Sequence, residues 1–351
     1  MEIKQDLWTY LQSTDKPVVM YGMGNGADKI INRFEKLNIN ISDFFASDGF
    51  VRGHSFHGKK VLSFSDIKEK YDDFIIILSF ASSLDNMLDI FYSLNENYEM
   101  YAPDVPVTDD GTFNLEYYNK NKEKLEYARG LFSDDLSKKV FDNIIKYKLT
   151  GKIDYLKEIE TTPDDAWNNI LSPDKYYVTV DAGAYNGDTA REIVERCGNL
   201  RKIYALEPDR RNFKKLSAYS EQEKRVVALN CASWNEDTVL EFDASGNRNA
   251  NTFLTETKKT ASTEAKRIDG ICGGKIDYIK YDVEGAERNA LLGSREVIAK
   301  YTPDLLVSAY HRNCDLYDLP ILIKELNPSY RLFLRKYKYV PAWDTNIYAT
   351  K

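Results

Sequence analysis

Short β-branched runs alternate with amphipathic stretches along most of this chain. VVMY at 18–21 meets a glycine cluster and then the helical ADKIINRFEKL, ISDFFASD, SFSDIKEKYDD and FIIILSF. Strand-like runs separated by helices of this length predict βαβ units on a parallel sheet. YAPDVPVTDDG at 101–111 is turn-rich, and the character then changes. Leu136, Val140, Phe141, Ile144 and Ile145 recur at helical spacing, so a helical connector is expected, ending near TTPDD. A second α/β series follows: YYVTV (176–180), KIYAL (202–206), VVALN (226–230), VLEFD (239–243), IDYIKY (276–281) and DLLVSAY (304–310). YRLFLRKY (330–337) and TNIYAT (345–350), joined by a short loop containing Pro341, read as a closing hairpin.

The expected architecture is therefore α/β. A smaller Rossmann-like domain over 1–108 leads into a helical connector over 109–168. A doubly wound sheet with an antiparallel C-terminal hairpin then occupies 169–351.

Two glycine turns compete for a nucleotide. In the first, Gly22, Gly24 and Gly26 miss the dinucleotide spacing by one residue, and Asp28 opposes a pyrophosphate at the helix start. Asp48, at the end of the next strand, offers a ribose acceptor, which keeps open a NAD-dependent oxidoreductase or epimerase. The other reading of this turn is a scaffold whose glycines serve only the strand-to-helix bend.

The second turn is VTVDAGAYNGDTA. Asp181 ends a strand, Gly183 and Gly187 bracket the bend, and Asp188 and Thr189 open the next helix. Glu207, at the end of the following strand, is placed to take a ribose diol. A carboxylate where a pyrophosphate would lie suits an α-ammonium group. Ribose, ammonium and no phosphate describe S-adenosylmethionine.

VDAGAYNGDT, ALEPD, NCASWN and IDYIKYDVEGAE, in this order, resemble the FkbM family of S-adenosylmethionine-dependent methyltransferases over about 170–351. The resemblance implies a class I methyltransferase fold and O-methylation of a sugar or similar hydroxyl. It places Asp181, Gly183, Ala184, Gly187, Asp188 and Thr189 around the methionine and ribose, Glu207 on the ribose hydroxyls, and Ala232 with Ser233 near adenine. Asp282 would sit close to the reactive methyl. The chain departs from the family pattern at VSAYH, where a Glu often precedes the His.

Transfer to a hydroxyl needs alignment and a base. Lys280, Asp282 and Glu284 share a face of an emerging strand end. Asp282 and Glu284 are candidate catalytic groups, with Glu287 and Glu284 also able to cap the next helix. His311 ends a strand on the ligand edge and is a candidate base, with Asp315 placed to orient it. His54 and His57 read as surface residues. Asp282, Glu284 and His311 offer mixed oxygen and imidazole ligands, yet no tight spacing supports a metal, and none is expected. Arg335, Tyr337 and Trp343, flanking the hairpin with Asp344, are candidate acceptor contacts.

A net charge of −7, with 43% hydrophobic and 29% charged residues, fits a globular protein and argues against general nucleic-acid binding. No run approaches the roughly 18 apolar residues of a membrane span. No secretory h-region opens the chain, and Cys197, Cys231, Cys272 and Cys314 form no CxxC pair. A cytoplasmic protein with reduced thiols is expected. Its partner would be a small sugar or sugar-nucleotide acceptor, with a homodimer as a further option. The remaining alternative is a non-catalytic cofactor-binding scaffold.

Overall fold

A computed structural model describes residues 3–51, 53–108, 111–243, 260–271 and 273–351. Six strands open the chain: β1 (Val18–Tyr21), β2 (Asp43–Ala46), β3 (Ser55–Phe56), β4 (Lys59–Ser63), β5 (Ile75–Leu78) and β6 (Glu99–Tyr101). They form a sheet in the order β3-β4-β2-β1-β5-β6, in which only the β3–β4 pair is antiparallel. β1, β2 and β5 are buried throughout, as a parallel sheet covered on both faces requires.

At the first glycine turn, Gly22 and Gly26 lie against protein and Gly24 does not. A Cβ on Gly26 would stand 2.2 Å from the Ser79 carbonyl oxygen, so glycine lets the helix Asn25–Lys36 sit against the end of β5. Asp48 accepts from the backbone N–H of Phe64 and the hydroxyl of Ser65, at the start of the helix Phe64–Lys70. That carboxylate holds a helix end, and the ribose role read for it finds no support.

The helices Leu115–Gly130, Asp135–Thr150 and Pro163–Asn169 follow. The remaining strands are β7 (Glu160–Thr161), β8 (Val178–Ala182), β9 (Lys202–Leu206), β10 (Val226–Leu229), β11 (Ala232–Ser233), β12 (Thr238–Asp243), β13 (Thr260–Lys266), β14 (Tyr278–Tyr281), β15 (Asp304–Ser308), β16 (Arg331–Tyr337) and β17 (Thr345–Thr350). Eight of them build the main sheet in the order β10-β9-β8-β14-β15-β17-β16-β7. β10 through β15 run parallel, and β17 then pairs antiparallel with both β15 and β16, the expected hairpin. The strand order reverses between β8 and β14, and ligands of doubly wound sheets bind outside that switch point.

Two particulars differ from the sequence reading. VLEFD, expected in the main sheet, is β12 and lies in a separate three-stranded sheet, β11-β13-β12. Its pairing with β13 is non-local, so its periodicity alone could not place it. The connector also supplies β7, which extends the main sheet at β16.

The first sheet's unit docks beside the carboxyl ends of the main strands. Ser82 and Val340 exchange backbone hydrogen bonds, and the Thr108 N–H and hydroxyl both donate to the His311 carbonyl. Among the described residues, no helix is long and apolar enough to cross a membrane. Cys197 and Cys231 are buried free thiols, and Cys272 lies outside the described residues.

Candidate active site

β8 ends at Ala182 and the chain bends sharply through Gly183, whose φ is +85°. The N–H groups of Gly183 and Ala184 both donate to the Leu206 carbonyl, at 3.0 and 2.9 Å, pinning the loop to the end of β9. A Cβ on Gly183 would lie 1.8 Å from the Asp282 carbonyl oxygen. Only glycine allows the loops after β8 and β14 to meet this closely. Between them and the helix Asp188–Arg196 opens a cavity of about 1290 Å³.

Glu207 forms one wall of that cavity. Its Oε2 accepts from the Tyr185 N–H and its Oε1 from the Asp209 N–H, each at 2.8 Å. A carboxylate offers about four lone-pair positions, so two remain for outside donors. Burial pushes this carboxyl up to about 7, despite the two backbone donors. Ala232 and Ser233 follow along the same wall, and the Ser233 hydroxyl is buried without a hydrogen-bond partner among the described residues. Gly183, Asp188 and Thr189 complete the loop side.

Asp181 lies elsewhere than expected. It is 0% exposed and does not line the cavity. Asp181 and Lys280 are register partners across β8 and β14, so their side chains share a face. Lys280 Nζ stands 3.6 Å from Asp181 Oδ1 and 3.6 Å from Asp282 Oδ2, and donates to Thr189 Oγ1 at 3.0 Å. Burial pushes Asp181 up to about 6, partly offset by Lys280. The lysine, which lines the cavity, is therefore this carboxylate's ion-pair partner.

Asp282 and Glu284 both line the cavity. Burial would raise Asp282, but Lys280 and His311 hold it below its ordinary value, and the Tyr310 hydroxyl donates to it at 3.2 Å. Glu284 is raised, by burial first and then by Asp282 and Glu287, against His311. It sits at a φ of +54°, a left-handed conformation costly for a residue with a side chain. Glu287 is 1% exposed, and its Oε1 accepts from the N–H groups of Val283 (2.9 Å) and Gly285 (3.3 Å), closing the turn.

His311 is 0% exposed and does not line the cavity. Burial disfavours its charge, yet Glu287, Asp282 and Glu284 together push it up to about 10. An imidazolium at neutral pH has no lone pair to accept a proton, so the free chain does not present His311 as a general base. Asp315 is not its orienting group: that carboxylate accepts from the Arg312 N–H, while Glu287 Oε1 lies 3.0 Å from His311 Nδ1. Among the described residues, Asp282, Glu287 and His311 are the group able to hold a metal ion.

Of the three acceptor candidates, only Tyr337 lines the cavity, its hydroxyl touching that of Tyr348. Arg335 is 4% exposed and is consumed by protein: its Nε donates to Asp165, and Nη2 to Asp134. It locks β16 to the helices Asp135–Thr150 and Pro163–Asn169, so the fork expected for a substrate is structural. Trp343 packs on Tyr339 away from the cavity. Ala184 and Gly187 shape the loop from behind the wall. The sequence reading missed Tyr185, Ser308 and Asn346, which do line the cavity. Ser308 ends β15, so its place on the ligand edge was available; Tyr185 and Asn346 carried no signal of their own.

Residues 181–341 match the Methyltransferase FkbM domain, a little under half of the chain. No functionally curated protein matches the sequence. The fold is similar to the crystal structure of a methyltransferase FkbM from Methylobacillus flagellatus KT. That likeness has a TM-score of 0.75 and 19% identity, over 97% of this chain and 92% of that one. A weaker likeness, TM-score 0.33 and 12% identity, covers 51% of this chain and 69% of Aeropyrum pernix fibrillarin, solved with natively bound S-adenosyl-L-methionine. An rRNA methylase from Streptococcus thermophilus gives 0.34 and 12%, over 53% of this chain and 92% of its own. The chain thus carries an S-adenosylmethionine-dependent methyltransferase domain of FkbM type, on the class I fold.

Proposed function

We propose that this methyltransferase transfers the methyl group to a hydroxyl of a sugar or sugar-like acceptor, free or nucleotide-linked. The cavity itself carries the reading. At about 1290 Å³ it exceeds the ~300–1,000 Å³ that one small ligand fills. Beyond Asp282 it continues over Ser308, Asn346, Asp344 and Tyr337. Carboxylate, amide and hydroxyl groups beside aromatic rings suit a polyhydroxylated ring, which needs many short polar contacts and an apolar face to rest on.

The cofactor fits the first part of this cavity. Glu207 has lone pairs free for two vicinal hydroxyls, and the unpartnered Ser233 hydroxyl lies on the wall that would take adenine. The Gly183 bend brings the loops after β8 and β14 together at this wall. When bound, the cofactor supplies an activated methyl group on a sulfonium. Asp282 orients the attacking hydroxyl, and Glu284, whose proton affinity is raised, receives its proton as the oxygen–methyl bond forms and the sulfur–methyl bond breaks. Lys280 fixes Asp282 and shields it from Asp181.

The test is a transfer screen with methyl-labelled cofactor against free glycosides, nucleotide sugars and matching amino sugars. Label recovered as a methyl ether supports the reading. Label recovered only on nitrogen, or transfer only to acceptors without a ring hydroxyl, overturns it. Cofactor binding without transfer to any acceptor would favour the scaffold alternative.

A further inference from the structure

The ends of β14 and β15 gather three carboxylates around one imidazole. His311 Nε2 lies 3.7 Å from Asp282 Oδ1 and 3.6 Å from Glu284 Oε2. Both spacings are too long for hydrogen bonds. Nε2 has no hydrogen-bond partner among the described residues, although the side chain is wholly buried. Glu287 Oε2 is also buried without a partner, while Oε1 of the same carboxylate serves the Val283 and Gly285 N–H groups. Leaving such groups unmade costs about 1–3 kcal/mol each, more where charge is involved. A ligand from outside the chain would satisfy the imidazole nitrogen.

The arrangement specifies what kind. Asp282, Glu287 and His311 each present one ligand atom, and the three atoms lie within 4.8 Å of one another. Metal bonds of about 2.0–2.4 Å place neighbouring ligand atoms roughly 3–4 Å apart, so small side-chain rotations close the site. Asp282, Glu284 and Glu287 face two cations, His311 and Lys280, and Lys280 is shared with Asp181. Oxygen ligands favour Mn²⁺ and Mg²⁺, and imidazole favours Zn²⁺ and its neighbours.

We propose that Asp282, Glu287 and His311 hold a divalent cation of the Mn²⁺ or Zn²⁺ kind at the floor of the cavity, the ion displacing the His311 proton to solvent as it binds. Asp282 is the member of the trio that lines the cavity, so the ion fixes this carboxylate and offers its open side to a ligand there. Beside an acceptor hydroxyl it polarises the O–H bond while Glu284 takes the proton. This use of the ion rests on the hydroxyl acceptor proposed above; the binding site does not.

The experiment titrates Mn²⁺ into the full chain, stripped with chelator, without acceptor. The free-ion paramagnetic resonance signal is followed, and Zn²⁺ serves as competitor. The expected result is one Mn²⁺ per chain, displaced by Zn²⁺, with affinity at least tenfold weaker in Asp282→Asn and in His311→Gln. Melting temperature and binding of 5′-methylthioadenosine check that each variant is folded. If the buried His311→Gln does not fold, the partly exposed Asp282→Asn decides. Stoichiometric binding unchanged in Asp282→Asn places the ion elsewhere and overturns the proposal, as does failure of the wild type to bind either ion. Because no acceptor is present, neither failure bears on the identity of the methyl acceptor.

Discussion

Glu207 offers a direct measure of how the free site is poised. Its carboxyl stands at about 7 because burial opposes its charge. A ribose diol donates more strongly to the ionised form, so binding pulls the carboxyl back toward its ordinary value near 4.5. The sign follows from that direction. Affinity is full above about 7, where the free carboxyl is already ionised, and is lost as pH falls through 7, because a proton must first be expelled. Between pH 8 and pH 6 the ionised fraction falls about tenfold, so the dissociation constant rises about tenfold, or about 1.4 kcal/mol. Near pH 7 about half a proton is released per ligand bound.

The ligand for this measurement is 5′-methylthioadenosine, which keeps the ribose diol and has no amino group to titrate. Calorimetry in two buffers of different ionisation enthalpy reads both the affinity and the proton count. Glu207→Gln keeps the shape and removes the charge. It should weaken binding by about 1.5–3 kcal/mol, the worth of hydrogen bonds to a charged group, and abolish the pH slope. Wild-type affinity that is flat from pH 6 to 8, or a slope that persists in Glu207→Gln, would refute the assignment of this carboxylate to the ribose.

Gly183→Ala forces a side chain into a left-handed bend and against the Asp282 carbonyl; a loss of about 1–3 kcal/mol in denaturant unfolding and of most cofactor affinity is expected. Arg335→Leu leaves Asp134 and Asp165 without their cation, but both are about one-third exposed, so thermal unfolding should show about 1–3 kcal/mol of destabilisation. Acceptor KM should stay unchanged in that variant, whereas a substrate fork would raise it. Asp48→Ala removes the carboxylate at the start of the helix Phe64–Lys70, costing about 0.5–1 kcal/mol in chemical denaturation. Mass spectrometry of the native wild type should find no NAD.

The α/β pattern, the helices between the two series and the closing hairpin were legible because each is a local periodicity. So were Gly183, Glu207 and Asp282 as cavity-lining residues, because strand ends beside a switch point face the cavity. Pairing register was not legible. Asp181 stands one position before the end of its strand, and only the β8–β14 register shows that Lys280 stands opposite and claims it. Arg335 failed for a related reason: its two acids come from helices about 170 and 200 residues earlier. A guanidinium on a strand reads the same in sequence whether it meets a substrate or a distant helix. His311 ends its strand as expected, but nothing local shows that Glu287 folds back beneath it.

The first glycine turn gains its meaning from the same geometry. Its helix presents Lys29, whose ammonium donates to the Val107 carbonyl and whose charge reaches Glu284. Next along the chain, Thr108 grips the His311 carbonyl with two donors, and its methyl group packs where a side chain on Gly285 would stand. Asp104, in the same segment, pairs with the buried Lys148 at 2.6 Å, which ties it to the helix Asp135–Thr150. The turn bearing Glu284 is thus braced by a segment far earlier in the chain, anchored at both ends. A left-handed Glu284 persists only where its surroundings over-determine it. Thr108 against Gly285 and the charge of Lys29 contribute to that constraint.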